Sequence, residues 1–294
     1  MTDYRVAALA FLNQEVTRAG TVRVHRRRGD EVTQMAQAVA VAEAAFDRQA
    51  IVQAYDGLVA LYPTHILTDP TSYADHLVVI CELIARLCPT RVVDAGCGVG
   101  IGTAFLAKAF PSVSFAAYDF APAAVENAQR CASHHNLPNV RFHVLHHEDA
   151  PTLLGQGSAD LVIARGSIGY LSSALPPLGN AADPQREITR LLRTNDPVLV
   201  EWYTQMRAVT NLVRSGGAVI DIHISFDPAI ILRHFLYRQL GFTPCAEERR
   251  RIVEGSTFRY LDRHEPGWRQ LVPLPEKIAR LFVTRSELVN LYTR

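Results

Sequence analysis

The sequence predicts an α/β fold in which a mostly parallel β-sheet carries helices on both faces, behind a helical N-terminal extension. From residue 91 onward, short β-branched or alternating apolar runs take turns with segments of helical apolar spacing, which is typical of parallel strands joined by crossover helices. The first run ends in an acid, after which glycines recur at alternate positions up to a helix start (Asp94-Ala-Gly96-Cys-Gly98-Val-Gly100). Before residue 91, frequent Ala and Gln and the apolar spacing indicate helices.

The elements of this pattern are bounded by turn signals and helix-opening residues. Ala121-Pro122, for example, opens a helix with proline in the first turn, where its missing N–H costs nothing. Strands are expected at 91–95, 113–118, 140–145, 159–164, 218–224, near 242–250 and at 256–262, with helices at about 101–110, 122–135 and 228–240. The last two strands would complete a seven-stranded sheet with an antiparallel edge hairpin.

The apolar run from Pro197 to Trp202 has two interpretations. It could be the fifth strand, but a helix over 197–213 is favoured because the apolar residues of this segment form a helical stripe. Asp196-Pro197 is also a typical helix opening. The paired glycines at 216 and 217 then precede the strand at 218–224.

The chain is expected to divide into three parts. Residues 1–90 form the helical extension, with helices between 35 and 61 and from about 73 to 87, and a basic run at 23–28 interpreted as a solvated loop. Residues 91–264 form the sheet domain, with an insertion rich in Pro and Ala at about 171–195. Residues 265–294 form a tail with a helix over 276–291, which would cover the core or serve an oligomer.

Composition describes an ordinary globular protein and excludes several classes. Of the 294 residues, 48% are hydrophobic and 20% are charged, and the net charge of +1 gives no global field that would recruit nucleic acid or an anionic membrane. No apolar run approaches the roughly 20 residues of a membrane span, and no signal-peptide pattern is recognised. The five cysteines form no C-x-x-C pair, so neither a disulfide framework nor a structural zinc site is predicted, and a cytoplasmic location is expected.

The glycine loop predicts a ligand site. Glycines allow a sharp turn and a close backbone approach, and the helix start beyond them offers unpaired N–H groups. The dinucleotide fingerprint requires G-x-G-x-x-G, whereas Gly96, Gly98 and Gly100 follow G-x-G-x-G. An acid at Asp94 would also repel a phosphate, but it suits an ammonium group or sugar hydroxyls.

Asp94-Ala-Gly96-Cys-Gly98-Val-Gly100 resembles the first motif of the class I S-adenosylmethionine (SAM) methyltransferases. The next strand ends in Asp119, as the ribose-binding position of that family does. The resemblance, over about residues 91–262, implies the seven-stranded fold, SAM as cofactor and an N-terminal extension that forms a lid. It also implies that the three glycines let the backbone approach the cofactor, that Asp94 acts through water or the loop amides, that Asp119 accepts both ribose hydroxyls, and that Phe120 covers an adenine face.

The end of the third strand departs from the family pattern. His146 holds the place of the usual Asp, and Glu148 and Asp149 follow it. Asp149 is the residue chosen for the adenine N6, with Glu148 as a further cofactor contact. A metal at His146 and His147 is not expected, because adjacent residues on a strand point to opposite faces.

Methyl transfer from SAM mainly requires alignment of the acceptor, and a general base is needed only if the acceptor must lose a proton. The candidates for a base are His223, at the end of the fifth strand, and Tyr170 or Ser167, after the fourth. His223 has the most suitable ordinary pKa. Arg165 could hold a carboxylate, either the methionine end of SAM or a substrate acid, because its donors suit a bidentate contact.

The sequence is therefore interpreted as that of an enzyme that transfers the methyl group of SAM in line to a small molecule, such as a specialised metabolite. One alternative keeps SAM but uses its aminobutyrate side, closing a ring or transferring that group and releasing methylthioadenosine. Another is a non-catalytic SAM-binding protein. No nucleic-acid or membrane partner is expected, and a homodimer is compatible with the tail.

Overall fold

The structure is a computed structural model that describes residues 3–18, 47–61, 70–168, 184–225, 227–252 and 286–294, with shorter pieces between 31 and 45. The basic run at 23–28, most of the insertion at 171–195 and the strand expected at 256–262 lie outside the described residues. Within the described residues, no helix is long and apolar enough to cross a membrane.

Helices and strands alternate through the described chain. The helices are α1 (Tyr4–Arg18), α2 (Arg48–Leu61), α3 (Pro70–Leu87), α4 (Ile101–Ala109), α5 (Pro122–His134), α6 (Ala150–Leu154), α7 (Pro184–Arg193), α8 (Pro197–Asn211) and α9 (Asp227–Gln239). The strands are β1 (Arg91–Ala95), β2 (Ser114–Asp119), β3 (Val140–Val144), β4 (Ala159–Arg165), β5 (Val213–Ser225), β6 (Thr243–Ile252) and β7 (Ser286–Thr293).

The strands form one seven-stranded sheet in the order β3-β2-β1-β4-β5-β7-β6. Strands β1 to β5 are parallel, while β7 runs antiparallel to both β5 and β6. The strand order therefore reverses between β1 and β4, and ligands of open parallel sheets bind at such a switch point, beyond the carboxyl ends of the strands. The predicted α/β class with a seven-stranded, mostly parallel sheet is confirmed.

The predicted C-terminal helix over 276–291 is wrong for the part that the structure describes. Residues 286–293 form β7, which lies between β5 and β6. Leu291 and Tyr292 are adjacent and both buried, because neighbouring residues of a strand face opposite sides of a sheet that is covered on both faces. Among the described residues, the antiparallel partner of β6 is thus β7.

The helix favoured at 197–213 is confirmed as α8. The Asp196 carboxylate accepts hydrogen bonds from the backbone N–H groups of Val198, at 3.1 Å, and Leu199, at 3.2 Å, which caps the first turn. Strand β5 begins at Val213 rather than at 218, and its pairing with β4 contains a register shift beside Ala159. The paired glycines therefore lie within the strand rather than before it.

Buried side chains form a layer on each face of the sheet. Alternation along β1 sends Val92 into one layer, with α1, α3, α4 and α5, and Val93 into the other, with α8 and α9. The N-terminal extension is therefore part of the core, since Phe11 of α1 packs against Phe105 of α4 with ring centroids 5.7 Å apart.

A carboxylate fixes α2 of the extension to the sheet domain. Residue Ala121, before α5, has no side chain that can cap the helix, and the backbone N–H of Ala123 donates instead to the Asp56 carboxylate at 2.6 Å. The negative charge also lies at the positive end of the α5 dipole. This contact places α2 beside the carboxyl end of β2.

Replacing Asp56 with Ala should therefore lower the free energy of unfolding by about 1 kcal/mol, the usual cost of losing a helix cap. Denaturant titration followed by circular dichroism measures this change. The control is Asp75→Ala, which removes a solvent-exposed ion pair with Arg5 and should have little effect. Equal losses in the two variants would contradict a capping role for Asp56.

Candidate active site

A cavity of about 270 Å³ lies at the carboxyl ends of β1, β2 and β4. Its floor is formed by the loops after β1, β2, β3 and β4, and its remaining walls by Val39, α2 and α8. Of the predicted residues, Gly96, Gly98, Asp119 and Arg165 line it, as do Phe120 and Glu148. The sheet topology thus brings together residues that are up to 69 positions apart in the sequence, as expected at a switch point.

The three predicted glycines have different roles. All have positive φ, of 74° at Gly96, 55° at Gly98 and 68° at Gly100, a conformation that other residues rarely adopt. Gly96 and Gly98 line the cavity, whereas Gly100 does not. A Cβ at Gly100 would lie 2.3 Å from the Cβ of Ala128, so this glycine is needed for packing against α5.

Asp94 stabilises the glycine loop and does not line the cavity. Its side chain is buried, and its carboxylate accepts a 2.5 Å hydrogen bond from the Thr103 hydroxyl of α4. Burial raises the pKa of Asp94, while the Thr103 hydrogen bond opposes this rise. The carboxylate therefore ties β1 to the first turn of α4 across the glycine loop.

Asp119, at the end of β2, is the carboxylate that faces the cavity. One oxygen accepts from the backbone N–H of Gly98 at 2.9 Å, and the other from that of Ala121 at 3.0 Å. Each carboxylate oxygen can accept a second hydrogen bond, so acceptor capacity remains for a ligand. Burial raises the pKa of Asp119 to about 6, although the two backbone hydrogen bonds act in the opposite direction.

Aromatic rings surround the cavity next to Asp119. The Phe120 ring stacks on His146, with centroids 6.0 Å apart and planes 6° from parallel, and lies 5.4 Å from the Tyr55 ring of α2. His146, expected from the resemblance to hold the place of an acid, thus presents a flat ring to the cavity. Tyr55 lines the cavity from α2.

Glu148 and Asp149 are separated by the structure. Glu148 lines the cavity and accepts from Arg48 of α2 at 2.8 Å, while Arg48 also binds Glu201 of α8 at 2.7 Å. Burial raises the pKa of Glu148, but hydrogen bonds from its own backbone N–H and from Arg48 reverse the shift and lower it. Asp149 is exposed before α6 and does not line the cavity, so it is not placed to bind an adenine there.

Arg165 emerges from β4 and is fixed against Tyr73 of α3. Its guanidinium donates to the Tyr73 hydroxyl at 2.9 Å, and its central carbon lies 4.0 Å from the centroid of the Tyr73 ring. Among the described residues it forms no ion pair with a carboxylate. A held guanidinium with remaining donors at a cavity wall is suited to an anionic group of a ligand.

The predicted bases are only partly described. Tyr170 lies outside the described residues, and for His223 the structure describes the backbone, near the end of β5, but not the side chain. The Ser167 hydroxyl donates to the carbonyl oxygen of Ala95 at 2.5 Å. Ser167 therefore serves the glycine loop, and the roles of His223 and Tyr170 stay predictions.

Three contributions to the site were not predicted from the sequence. Arg48 and Gln205 line the cavity from α2 and α8, and the Tyr118 hydroxyl is hydrogen-bonded to His147 at 2.9 Å. No local pattern pairs residues so far apart. Only Tyr118 had a usable signal in the sequence, namely the acid that follows it at the end of β2. Because neighbouring residues of a strand point to opposite faces, the position of Asp119 determines the face on which Tyr118 lies.

One group in the described residues has the composition of a metal site. Ligand atoms of Glu15, His134 and His135 lie within 4.8 Å of one another, at the contact of α1 and α5. However, the Glu15 carboxylate already pairs with Arg18 at 2.6 Å and with His135 at 3.0 Å. These bonds satisfy the buried Glu15 carboxylate, and none of the three residues lines the cavity.

Comparison with known proteins agrees with this geometry. Residues 89–226 match the model of a family described as a methyltransferase domain. Over 104 residues, the chain is 31% identical to a malonyl-[acyl-carrier protein] O-methyltransferase from Bacillus cereus, covering 35% of this chain and 36% of that protein. Over 137 residues, it is 28% identical to a trans-aconitate 2-methyltransferase from Methylobacterium radiotolerans, covering 40% of this chain and 50% of that protein.

The matched region spans between about a third and a half of the length of these curated relatives. Among solved structures, a magnesium protoporphyrin IX methyltransferase from Synechocystis PCC 6803, determined with bound SAM, has a TM-score of 0.51. It is 13% identical, and the match covers 86% of this chain and 97% of that one, so the likeness concerns the fold. Residues 89–226, with their glycine loop and the acid that ends β2, are therefore similar to a methyltransferase domain.

Proposed function

We propose that this chain is an SAM-dependent methyltransferase that acts on a small molecule. The observation that carries the proposal is the Asp119 carboxylate, which faces the cavity while the N–H groups of Gly98 and Ala121 hold both of its oxygens. Such a carboxylate can accept two neighbouring hydroxyls, as a ribose offers, and the adjacent ring of Phe120 can cover a base.

The cofactor would extend from Asp119 toward β4. Its nucleoside would lie against Asp119, Phe120 and His146, and its amino-acid end would lie beside Gly96 and Arg165. The guanidinium of Arg165 would bind the carboxylate of that end. Asp149 has no part in this arrangement, and Glu148 contributes through its ion pair with Arg48.

SAM supplies a methyl group already activated by a sulfonium, so the protein has mainly to align an acceptor and exclude water. The walls from α2 and α8, joined across the cavity by Arg48 and Glu201, favour an enclosed small acceptor. His223 and Tyr170 remain the proposed bases for an acceptor that must lose a proton. The substrates named for the curated relatives carry carboxylates, so di- and tricarboxylic acids are suitable first acceptors to test.

The identity of the product tests the proposal. The purified protein is incubated with SAM, alone and with a set of carboxylic acids or a metabolite extract, and the products are identified by mass spectrometry. S-adenosylhomocysteine that forms only with an acceptor, together with an acceptor heavier by one methyl group, is expected. Methylthioadenosine formed from SAM would contradict methyl transfer, and binding without turnover would indicate a non-catalytic protein.

Replacing Asp119 with Ala should weaken SAM binding by roughly one hundredfold, because two hydrogen bonds to a charged acceptor are lost. Isothermal titration calorimetry measures the change. Glu148→Gln is the matched control, since it also removes a carboxylate from the cavity wall but leaves the ribose site intact. An unchanged affinity in the Asp119 variant would mean that the ribose lies elsewhere.

The pKa of Asp119, raised to about 6, predicts that SAM affinity depends on pH. The ionised carboxylate accepts ribose hydroxyls, so affinity should fall roughly tenfold for each pH unit below about 6. The stability of the free protein should respond with the opposite sign. Since the folded state binds this proton more tightly than the unfolded state, the Asp119 contribution favours folding as the pH falls from about 6 toward 4.

Calorimetry with SAM from pH 5 to 8 would show this dependence. In Asp119→Asn, which carries no titrating group at this position, the profile should become flat in that range. A profile that the substitution leaves unchanged would assign the titration to another group.

Replacing Arg165 with Gln should weaken the binding of S-adenosylhomocysteine by roughly tenfold or more, because a charge-assisted contact is lost. Methylthioadenosine, which lacks the carboxylate, should bind this variant as it binds the original protein. Tyr73→Phe is the matched control, as it removes the hydroxyl that Arg165 contacts but keeps the ring. An equal loss for both ligands would contradict a carboxylate contact, and normal binding with a raised KM for the acceptor would assign Arg165 to the substrate.

A further inference from the structure

A chain of hydrogen bonds in the wall of the cavity joins the carboxyl ends of β1, β2 and β4. The Tyr118 hydroxyl lies 2.9 Å from Nδ1 of His147, and Nε2 of His147 lies 3.0 Å from the carbonyl oxygen of Ser167. The Ser167 hydroxyl in turn contacts the carbonyl oxygen of Ala95 at 2.5 Å. His147 is the central member, and it follows β3, so four strand ends meet in this chain.

The partners determine where the protons lie. A carbonyl oxygen can only accept, so Nε2 of His147 carries a proton and donates it to Ser167. In a neutral imidazole Nδ1 is then the acceptor, and the Tyr118 hydroxyl donates to it. Both ring nitrogens are thus used, and His147 is not available as a general base.

The surroundings of His147 are consistent with a neutral ring. Burial lowers the pKa of His147, although the Ser167 carbonyl and the charge of Glu148 oppose the shift. His146 lowers the pKa further, and Glu201 raises it. Tyr118 also contacts the ring, Arg48 pairs with both Glu148 and Glu201, and burial remains the largest influence on the pKa of His147.

Ser167 transmits the position of His147 to the glycine loop. A Cβ on Gly96 would lie 2.2 Å from the Cβ of Ser167, so the two residues are in close backbone-to-side-chain contact. The Ser167 hydroxyl also holds the carbonyl of Ala95, the residue before Gly96. The main chain of Ser167 therefore determines how far the loop after β1 extends into the cavity.

We propose that His147 is a positioning residue for the cofactor, which sets the glycine loop through its hydrogen bond to the Ser167 carbonyl without touching the cofactor through its ring nitrogens. The inference rests on the proposed function of the cavity as an SAM site. It assigns a role to a side chain that does not itself take part in methyl transfer. Without His147, the Ser167 carbonyl and the Tyr118 hydroxyl would each lose a hydrogen-bond partner in a partly buried position.

Three substitutions at His147 distinguish the contribution of Nδ1 from that of Nε2. His147→Ala removes the hydrogen bonds of both ring nitrogens and should weaken SAM binding by roughly tenfold or more. The amide of Gln extends to the position of Nε2 and can donate to Ser167, so His147→Gln should remain within about threefold of the original affinity. The shorter amide of Asn reaches the position of Nδ1, so His147→Asn should bind as weakly as the Ala variant.

Calorimetry of the full chain with SAM measures all three variants, and circular dichroism melting confirms that each is folded. The matched control is His143→Gln, a histidine of β3 that does not line the cavity and should leave SAM affinity unchanged. Original affinity in all three His147 variants, or rescue by Asn in place of Gln, would overturn the proposal. Failure of the unaltered protein to bind SAM would instead contradict the proposed function, so the two failures are distinguishable.

A second readout needs no cofactor. In the free protein, nitrogen-15 NMR of the histidine side chains, with His147 assigned by comparison with the Gln variant, should show a neutral ring protonated at Nε2 at pH 8. A neutral ring protonated at Nδ1, or a pKa that is not lowered from the ordinary value of histidine, would overturn the hydrogen-bond directions on which the positioning role depends.

Discussion

The buried carboxylate of Asp119 is the constraint on which the site depends. Burying a charge costs free energy. Hydrogen bonds from two backbone N–H groups, one in the loop after β1 and one just after β2, offset part of that cost. One of them belongs to Gly98, whose positive φ of 55° lets its amide turn toward the carboxylate. The other belongs to Ala121, directly before α5. The loop after β1 and the start of α5 are therefore positioned by the same group that would bind the ribose.

The remaining walls of the cavity follow from where the extension docks. Asp56 caps α5 from α2, which places Arg48, Ile51 and Tyr55 beside the end of β2. Arg48 then reaches Glu148 after β3 and Glu201 of α8 in a single bridge. The helical extension, expected from the resemblance to form a lid, thus contributes Val39, Arg48, Ile51 and Tyr55 to the cavity wall, and we propose that it acts as that lid.

Local signals in the sequence predicted the parts of the site that depend on neighbouring residues. The glycine loop, the acid ending β2 and the cap of α8 at Asp196 each need only a few adjacent positions. The resemblance pointed to Asp149 for the adenine, but both residues lie in the turn between β3 and α6, where Glu148 lines the cavity and Asp149 is exposed. Strand β7 was missed because its pairing with β5 and β6 is non-local, and apolar spacing alone does not separate a short buried strand from a helix.

The interactions with no sequence signal are those that cross between elements. His147 meets Tyr118 and Ser167 only because β2, β3 and β4 end at the same edge of the sheet. Arg165 and Tyr73 likewise meet through the packing of α3 against the sheet domain. The family resemblance could place the cofactor near the strand ends, but the supporting contacts required the three-dimensional fold.

A crystal structure of the protein with S-adenosylhomocysteine would test the central claim most directly. Both ribose hydroxyls should bind the Asp119 carboxylate, the adenine should lie against Phe120, and the homocysteine carboxylate should face Arg165. A ligand whose ribose lies away from Asp119, or that occupies another part of the molecule, would contradict the account of this cavity.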